Sequence, residues 1–129
     1  HSGWKGALKN ISAKGINYFV KHKIDKKNII VLIGPCLGFK NFEVSKDFKK
    51  KFINKNKKYS IFFKYKNLDK DIFNLRGLIN YQFKELGIKN LYNVDKDTYA
   101  HDDMFFSHRR ESKKLKNTGR MINIIAFND

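Results

Sequence analysis

The stretch DIFNLRGLINYQFKELGIKNLYNV, residues 71–94, decides the fold class. From Asp71 to Leu86 the apolar residues Phe73, Leu75, Leu78, Ile79, Phe83 and Leu86 fall on one stripe at helical spacing. Gly87 follows, where a helix stops readily because glycine tolerates the left-handed turn that closes it. Ile88 to Val94 comes at once afterwards, short and β-prone, and reads as a strand. A helix running directly into a strand is the building unit of an α/β protein.

Working outward, Asn28 to Ile33 is an uncharged, β-branched run that suits a buried strand, and it exits into the turn Gly34-Pro35. Ahead of it, Leu8, Ile11, Ile16, Phe19 and Val20 recur at helical spacing, which predicts an amphipathic helix from Gly6 to His22 with Gly15 as its weak point. Between these and the deciding stretch, Phe48 and Phe52 sit four apart in a short basic helix, Val44 to Ile53. A loop is expected over Asn54 to Lys58 and a strand over Tyr59 to Tyr65. Beyond it, Thr118-Gly119-Arg120 reads as a turn and Met121 to Phe127 as a closing strand. The expected fold is α/β, a layered mixed β-sheet with flanking helices. No repeat or Pro-rich linker divides residues 1–129 into separate domains.

Composition bounds the rest. With 41% hydrophobic and 15% aromatic residues the chain should collapse around a core. Its apolar runs are far short of the ~20 residues a membrane-spanning helix needs, so no membrane partner is expected. It opens on His1, without an initiator Met or a charged-then-apolar leader, which points to a start inside a longer protein. Cys36 is the lone cysteine and can form no internal disulfide, so the cytoplasm is the expected compartment. The net charge of +16 invites a nucleic-acid reading, because lysine and arginine displace the counterions of a phosphate backbone. Yet of 28 basic residues only Arg76, Arg109, Arg110 and Arg120 are arginines. The excess is lysine, travelling with asparagine and isoleucine as an A/T-rich genome would dictate, and it reads as a solvated surface. Nucleic acid is not the expected partner.

Among chemically capable residues, Cys36 follows a strand and a Gly-Pro turn but has no identifiable base nearby, so a nucleophilic role is declined. His22 and His101 read as surface residues. Arg109 and Arg110 are adjacent in an arginine-poor chain; they suit forked contact with an anion such as phosphate, or equally the bonding of backbone carbonyls.

Four segments, met in order, carry a family resemblance. His1-Ser2-Gly3-Trp4-Lys5-Gly6 is similar to His-Ala-Gly-Trp-Arg-Gly. Ile33-Gly34-Pro35-Cys36-Leu37-Gly38 with Phe42-Glu43-Val44 is similar to Ile-Gly-Pro-x-Ile-Gly and Tyr/Phe-Glu-Val. Asn74-Leu75, Gln82 and Leu86-Gly87-Ile88 match Asp-Leu, Gln and Leu-Gly-Val positions, and Phe105-Phe106-Ser107-His108-Arg109-Arg110 with Thr118-Gly119-Arg120 matches Phe-Phe-Ser-Tyr-Arg-Arg and Thr-Gly-Arg. The sequence resembles the C-terminal half of the laccase-domain, or YfiH-like, family.

The resemblance implies a mononuclear site, with zinc expected and copper as the alternative, held by two histidines and a cysteine. Only the histidine of the His-x-Gly-Trp motif is present, as His1. Catalytic zinc takes three protein ligands and keeps one position open, so the other two would come from the missing N-terminal half of the same protein. The implied activity is phosphorolysis of purine nucleosides (inosine, guanosine, adenosine, methylthioadenosine) with adenosine deamination beside it. Purine nucleoside and phosphate are then the partners. Arg109, Arg110, Glu43 and Lys5 are the implied substrate-binding residues, with Glu43 as an orienting group and Lys5 standing where the family has arginine. His108 replaces a tyrosine, and Asp97-Thr98-Tyr99-Ala100 lies where relatives carry cysteines, so no second thiol site is expected. The rival readings are a copper-dependent polyphenol oxidase, disfavoured by four scattered histidines, and a basic nucleic-acid-binding module.

Overall fold

The residues from 6 to 22 do not form one helix, because Asn10 takes a left-handed conformation (φ 51°, ψ 55°) and breaks it. Asparagine is among the few residues that tolerate that region, and its side chain then caps the next helix by accepting from the Ala13 amide at 3.3 Å. The result, in a computed structural model that describes residues 1–112, 114 and 119–126, is α1 (Trp4–Leu8) followed by α2 (Ile11–Lys21). The strand expected over Asn28 to Ile33 is present as β1 (Ile30–Ile33), starting two residues later, and it is not buried throughout: Ile33 is buried and Val31 half-buried, whereas Ile30 and Leu32 are exposed.

Next come β2 (Glu43–Ser45) and α3 (Lys46–Lys55). The helix expected from Val44 therefore starts two residues later, where the Ser45 hydroxyl accepts from the Phe48 amide at 3.2 Å and sets the N-cap. It also continues past Ile53 into the expected loop. A 3₁₀ turn over Lys57–Phe62 takes most of the strand expected from Tyr59, leaving β3 (Phe63–Tyr65). The expected helix at Asp71 is corrected more sharply, since β4 (Lys70–Phe73) precedes α4 (Leu75–Glu85). Asp71 and Phe73 are fully buried with Ile72 half-buried between them, the two-residue alternation of a strand. Asn74 then caps α4 by accepting from the Gly77 amide at 2.8 Å, and Gly87 ends it at φ +80°. After β5 (Asn90–Asn93) the last helix is α5 (His108–Ser112). Residues 121–126 form no strand, contrary to expectation; Phe127 and Thr118 lie outside the described residues.

The class is α/β with helices flanking sheets, and the mixture of strand senses is divided between two of them. β1 and β5 run parallel, Leu32 opposite Tyr92 and Ile33 opposite Asn93. β2, β4 and β3 form an antiparallel sheet with β4 central. The main core is aromatic: Phe48, Phe52, Phe63 and Phe73 hold ring centroids 4.6–6.3 Å apart, and Trp4 of α1 joins at 5.2 Å from Phe48. A second cluster of Ile16, Ile29 and Ile88, with Val31, Phe83 and Leu91 against it, seats α2 and α4 on one face of the β1–β5 pair.

Candidate functional site

Two clefts and one exposed imidazole carry the chemically capable residues. The first cleft, of about 450 Å³, is lined by Asn41, Glu43, Ser45, Lys70, Tyr99 and Arg109 among others. β2 supplies Glu43 and α5 supplies Arg109, which reaches across to donate from Nη1 to the Glu43 carbonyl oxygen at 3.0 Å. The guanidinium also lies 5.5 Å over the Phe42 ring, a cation–π contact that fixes its plane. The Glu43 carboxylate is hydrogen-bonded by Lys66 and faces Lys70 Nζ at 3.5 Å. The Lys66 hydrogen bond, with the charges of Lys66 and Lys70, holds its carboxyl below the usual range. Glu43 is thus ionised and balanced by lysines, and Arg109 offers the cleft a held cation.

Arg110 points elsewhere. It donates to the carbonyls of Thr98 (2.9 Å), Tyr99 (3.0 Å) and Phe105 and to Glu111 Oε1 at 3.2 Å, tying the 98–105 segment to α5. Of the two uses open to adjacent arginines, Arg110 takes the structural one.

His1 is exposed and folds back over its own motif. A Cβ on Gly3 would stand 2.8 Å from His1 Nε2, and one on Gly6 would stand 3.0 Å from the His1 carbonyl oxygen. The two glycines therefore give the terminal histidine its place. Lys5 is exposed, with its ammonium 5.5 Å from the Trp4 ring. Neither His1 nor Lys5 lines the first cleft or the one at the ends of β1 and β5, so the structure unites Glu43 with Arg109 and leaves those two apart. What joins the regions is aromatic packing: Trp4 on Phe48, Phe48 on Phe42 at 6.3 Å, and Phe42 under Arg109. Gln82 anchors α1 from the other side. Buried in α4, it donates to the Ala7 carbonyl at 2.7 Å and to the Tyr59 hydroxyl at 3.3 Å, and accepts from Ser12 at 3.4 Å.

The second cleft, about 480 Å³, opens at the carboxyl ends of β1 and β5, where ligands of parallel α/β sheets are commonly received. Cys36, Asn74, Arg76, Asn93 and Asp97 line it. Burial pushes the Cys36 thiol up, only partly offset by Arg76, which keeps it protonated and unsuited to attack at neutral pH. Burial also raises Asp97, but amides of Gly38, Tyr99 and Ala100 and the Asn41 side chain (2.7 Å) outweigh it and hold the carboxyl below its ordinary value. Any side chain at Gly38 would overlap that carboxylate, which explains the second glycine of the Gly-Pro-x-x-Gly turn. Neither Arg76 nor Asp97 stands out in the sequence as a binding residue; the rarity of arginine is the one signal for Arg76.

Among the described residues no three His, Cys, Asp or Glu side chains converge on a metal position. One exposed imidazole cannot retain a catalytic zinc, although as one member of a His-His-Cys set its donor chemistry fits.

The profile of the family described as "Multi-copper polyphenol oxidoreductase laccase" matches residues 1–128. This chain belongs to the YfiH-like laccase-domain family. It is 30% identical over 129 residues to a purine nucleoside phosphorylase of Haemophilus influenzae, covering 98% of this chain and 50% of that protein. It is 28% identical to purine nucleoside phosphorylase YfiH of Escherichia coli K12, covering 97% and 48%. The crystal structure of Bacillus licheniformis YfiH superposes with a TM-score of 0.77 at 24% identity, over 88% of this chain and 44% of that one. A Neisseria meningitidis structure gives 0.75, over 85% and 44%. The laccase-domain chain thus spans about half the length of the curated relatives it matches. Among its described residues, no helix is long and apolar enough to cross a membrane.

Proposed function

We propose that this laccase-domain chain is part of a zinc-dependent purine nucleoside phosphorylase, to which it contributes one metal ligand, His1, and an anion-binding cleft built on Arg109 and Glu43. The observation that carries the reading is the Arg109 guanidinium, fixed by the Glu43 carbonyl and the Phe42 ring at the wall of a cleft that also holds Lys70. A planar cation fixed in this way binds a phosphate oxygen without first losing rotamer freedom. The relatives named purine nucleoside phosphorylase support the same reading.

In phosphorolysis a phosphate oxygen forms a bond to C1′ of the ribose while the C1′–N9 bond breaks. The electron pair leaves with the purine, which takes up a proton, and the products are the free base and ribose 1-phosphate. The role of Arg109 is to hold the phosphate and offset its charge as it approaches, with Lys70 adding a point charge. Glu43 orients: its ionised carboxylate keeps Lys66 and Lys70 at the rim. Arg110, committed to carbonyls, and Lys5, out on the Trp4 ring, stand outside this ligand set. When bound, zinc supplies Lewis-acid polarisation, which would also serve adenosine deamination as a companion reaction. Two of its three protein ligands must then come from the half of the family fold that this chain does not span.

The test is to incubate the protein carrying both halves with inosine, with and without phosphate. Phosphate-dependent appearance of hypoxanthine and ribose 1-phosphate, abolished by a chelator and restored by zinc, is the expected result. Release of hypoxanthine at equal rates without phosphate would refute it.

A further inference from the structure

Half of the chain's net positive charge is gathered in one place. Residues 46–70 hold ten lysines against Asp47 and Asp69, a net +8 in 25 residues out of +16 for the whole chain. Residues 95–103, by contrast, hold four aspartates against Lys96. A lysine-rich composition by itself would scatter its charge over the whole exterior. Here α3, the 3₁₀ turn after it and the β3–β4 hairpin form one basic body, because α3 packs on the turn and the turn runs directly into β3. Part of that charge is balanced: Lys46 and Lys49 face Asp71, Lys50 pairs with Asp47, and Lys66 and Lys70 flank Glu43. Lys51, Lys55, Lys57, Lys58 and Lys64 are exposed and have no acidic partner among the described residues.

Three large side chains stand in water among these lysines. Ile61 on the turn is 72% exposed, Tyr65 at the end of β3 62%, and Leu68 at the hairpin tip 86%. Lys58 and Ile61, three apart in the 3₁₀ turn, lie one above the other. Leu68 is presented by an ordered tip: the Lys66 amide donates to the Lys70 carbonyl at 3.3 Å, and Asn67 Oδ1 accepts from the amides of Asp69 at 3.1 Å and Lys70 at 2.8 Å. Beside it the Lys46 ammonium lies 4.6 Å over the Tyr65 ring. Lysines on an edge strand guard it against pairing with another chain, which accounts for Lys64 and Lys66 on β3. That role accounts neither for an apolar tip nor for the free lysines of α3 and the turn.

We propose that this body is an adsorption surface for anionic phospholipid: its lysines lie against the headgroup layer of a membrane, and Leu68, Ile61 and Tyr65 enter the boundary beneath. The choice of lipid over nucleic acid follows from the residue types. Readout of bases and phosphates favours the forked guanidinium, and residues 46–70 contain no arginine. Lysine is a compact point charge, suited to a fluid headgroup layer where many undirected attractions add. Exposed aliphatic side chains gain nothing from a phosphate backbone, whereas the edge of the acyl layer takes them up. Such attachment lies on the membrane and does not span it. It is independent of the activity proposed above, and its test reads no catalysis.

The protein carrying both halves is sedimented with vesicles of phosphatidylcholine alone and of phosphatidylcholine mixed with phosphatidylglycerol. It should bind the mixture at least about tenfold more tightly, and the preference should fade as added salt screens the charges. Lys55→Glu, Lys58→Glu and Lys64→Glu together should weaken binding at least about tenfold, whereas Lys9→Glu, Lys14→Glu and Lys89→Glu, also exposed and equal in net charge, should leave it within about twofold. Lys66 and Lys70 stay intact because they hold Glu43. Ile61→Ser with Leu68→Ser should weaken binding by about tenfold without moving the urea midpoint, since both side chains already stand in water. Equal binding to the two kinds of vesicle, equal loss in the two lysine triples, or an unchanged affinity in the serine pair would overturn the proposal. So would failure to bind the mixed vesicles, whether or not an oligoribonucleotide is retained.

Discussion

Replacing Gln82 with leucine tests how the His1 segment is held. Leucine has nearly the volume of glutamine, so little packing is lost, but the three hydrogen bonds to Ala7, Tyr59 and Ser12 go together. The Ala7 carbonyl keeps a second donor, the Asn10 amide at 3.0 Å, and is not orphaned. The hydroxyls of Ser12, 4% exposed, and Tyr59, 6% exposed, lose a partner in the interior. A buried polar group left unsatisfied costs roughly 1–3 kcal/mol, and partial relaxation of two neighbouring hydroxyls places the sum at about 2 kcal/mol. With an unfolding entropy of about 2.1 cal/mol/K per residue, that lowers the Tm by roughly 7 °C. Thermal unfolding followed by circular dichroism measures the shift. Adding Ser12→Ala separates the contributions, since that change should cost less in the Gln82→Leu protein than in the native one. A Tm within about 2 °C of the native value, or full additivity with Ser12→Ala, would refute the account of Gln82 as the clamp between α4 and α1.

Asp71→Asn removes a fully buried carboxylate from Lys46 (3.0 Å) and Lys49 (3.6 Å); because those lysines are 31% and 29% exposed and can turn to water, the loss should be about 2 kcal/mol by urea denaturation, below the roughly 3–5 of a wholly buried pair. Glu43 and Asp97 both titrate below their ordinary values of 4.5 and 3.8, so the folded chain binds fewer protons than the unfolded one. The stability they lend is present in full above those values and is lost as pH falls through the lower folded ones; a pH series of urea midpoints should drop below about pH 4, and less steeply in Asp97→Asn. Gly38→Ala should destabilise through overlap with the Asp97 carboxylate, and a Tm equal to native would contradict that packing. Gly3→Ala should leave Tm nearly unchanged but displace the His1 ring, visible as a shift of its imidazole proton resonances.

The parts legible in sequence were those set by local signals. The uncharged Asn28–Ile33 run ending at Gly34-Pro35 became β1, and the stripe ending at Gly87 became α4. β4 was hidden because its alternation rests on Asp71 and Phe73: a carboxylate at the first buried position gives no apolar signal, and Phe73 fits the helical stripe as well. The split of the first helix depended on Asn10 adopting a left-handed conformation, which its composition permits but does not require. The closing strand failed for another reason: its residues favour β-structure, but a strand needs a neighbour. In the site, the motifs brought Glu43 and Arg109 forward, whereas the bond between them joins residues 66 apart and follows from tertiary packing. The same holds for Asp97, which meets Cys36 across a parallel bridge that no local pattern announces.

The most direct test of the phosphate cleft is the dependence of inosine turnover on phosphate concentration in the protein carrying both halves, native and Arg109→Ala. The KM for phosphate should rise at least tenfold, about 1.4 kcal/mol of lost binding, while the KM for inosine changes little. An unchanged phosphate KM in a folded Arg109→Ala protein would contradict the assignment.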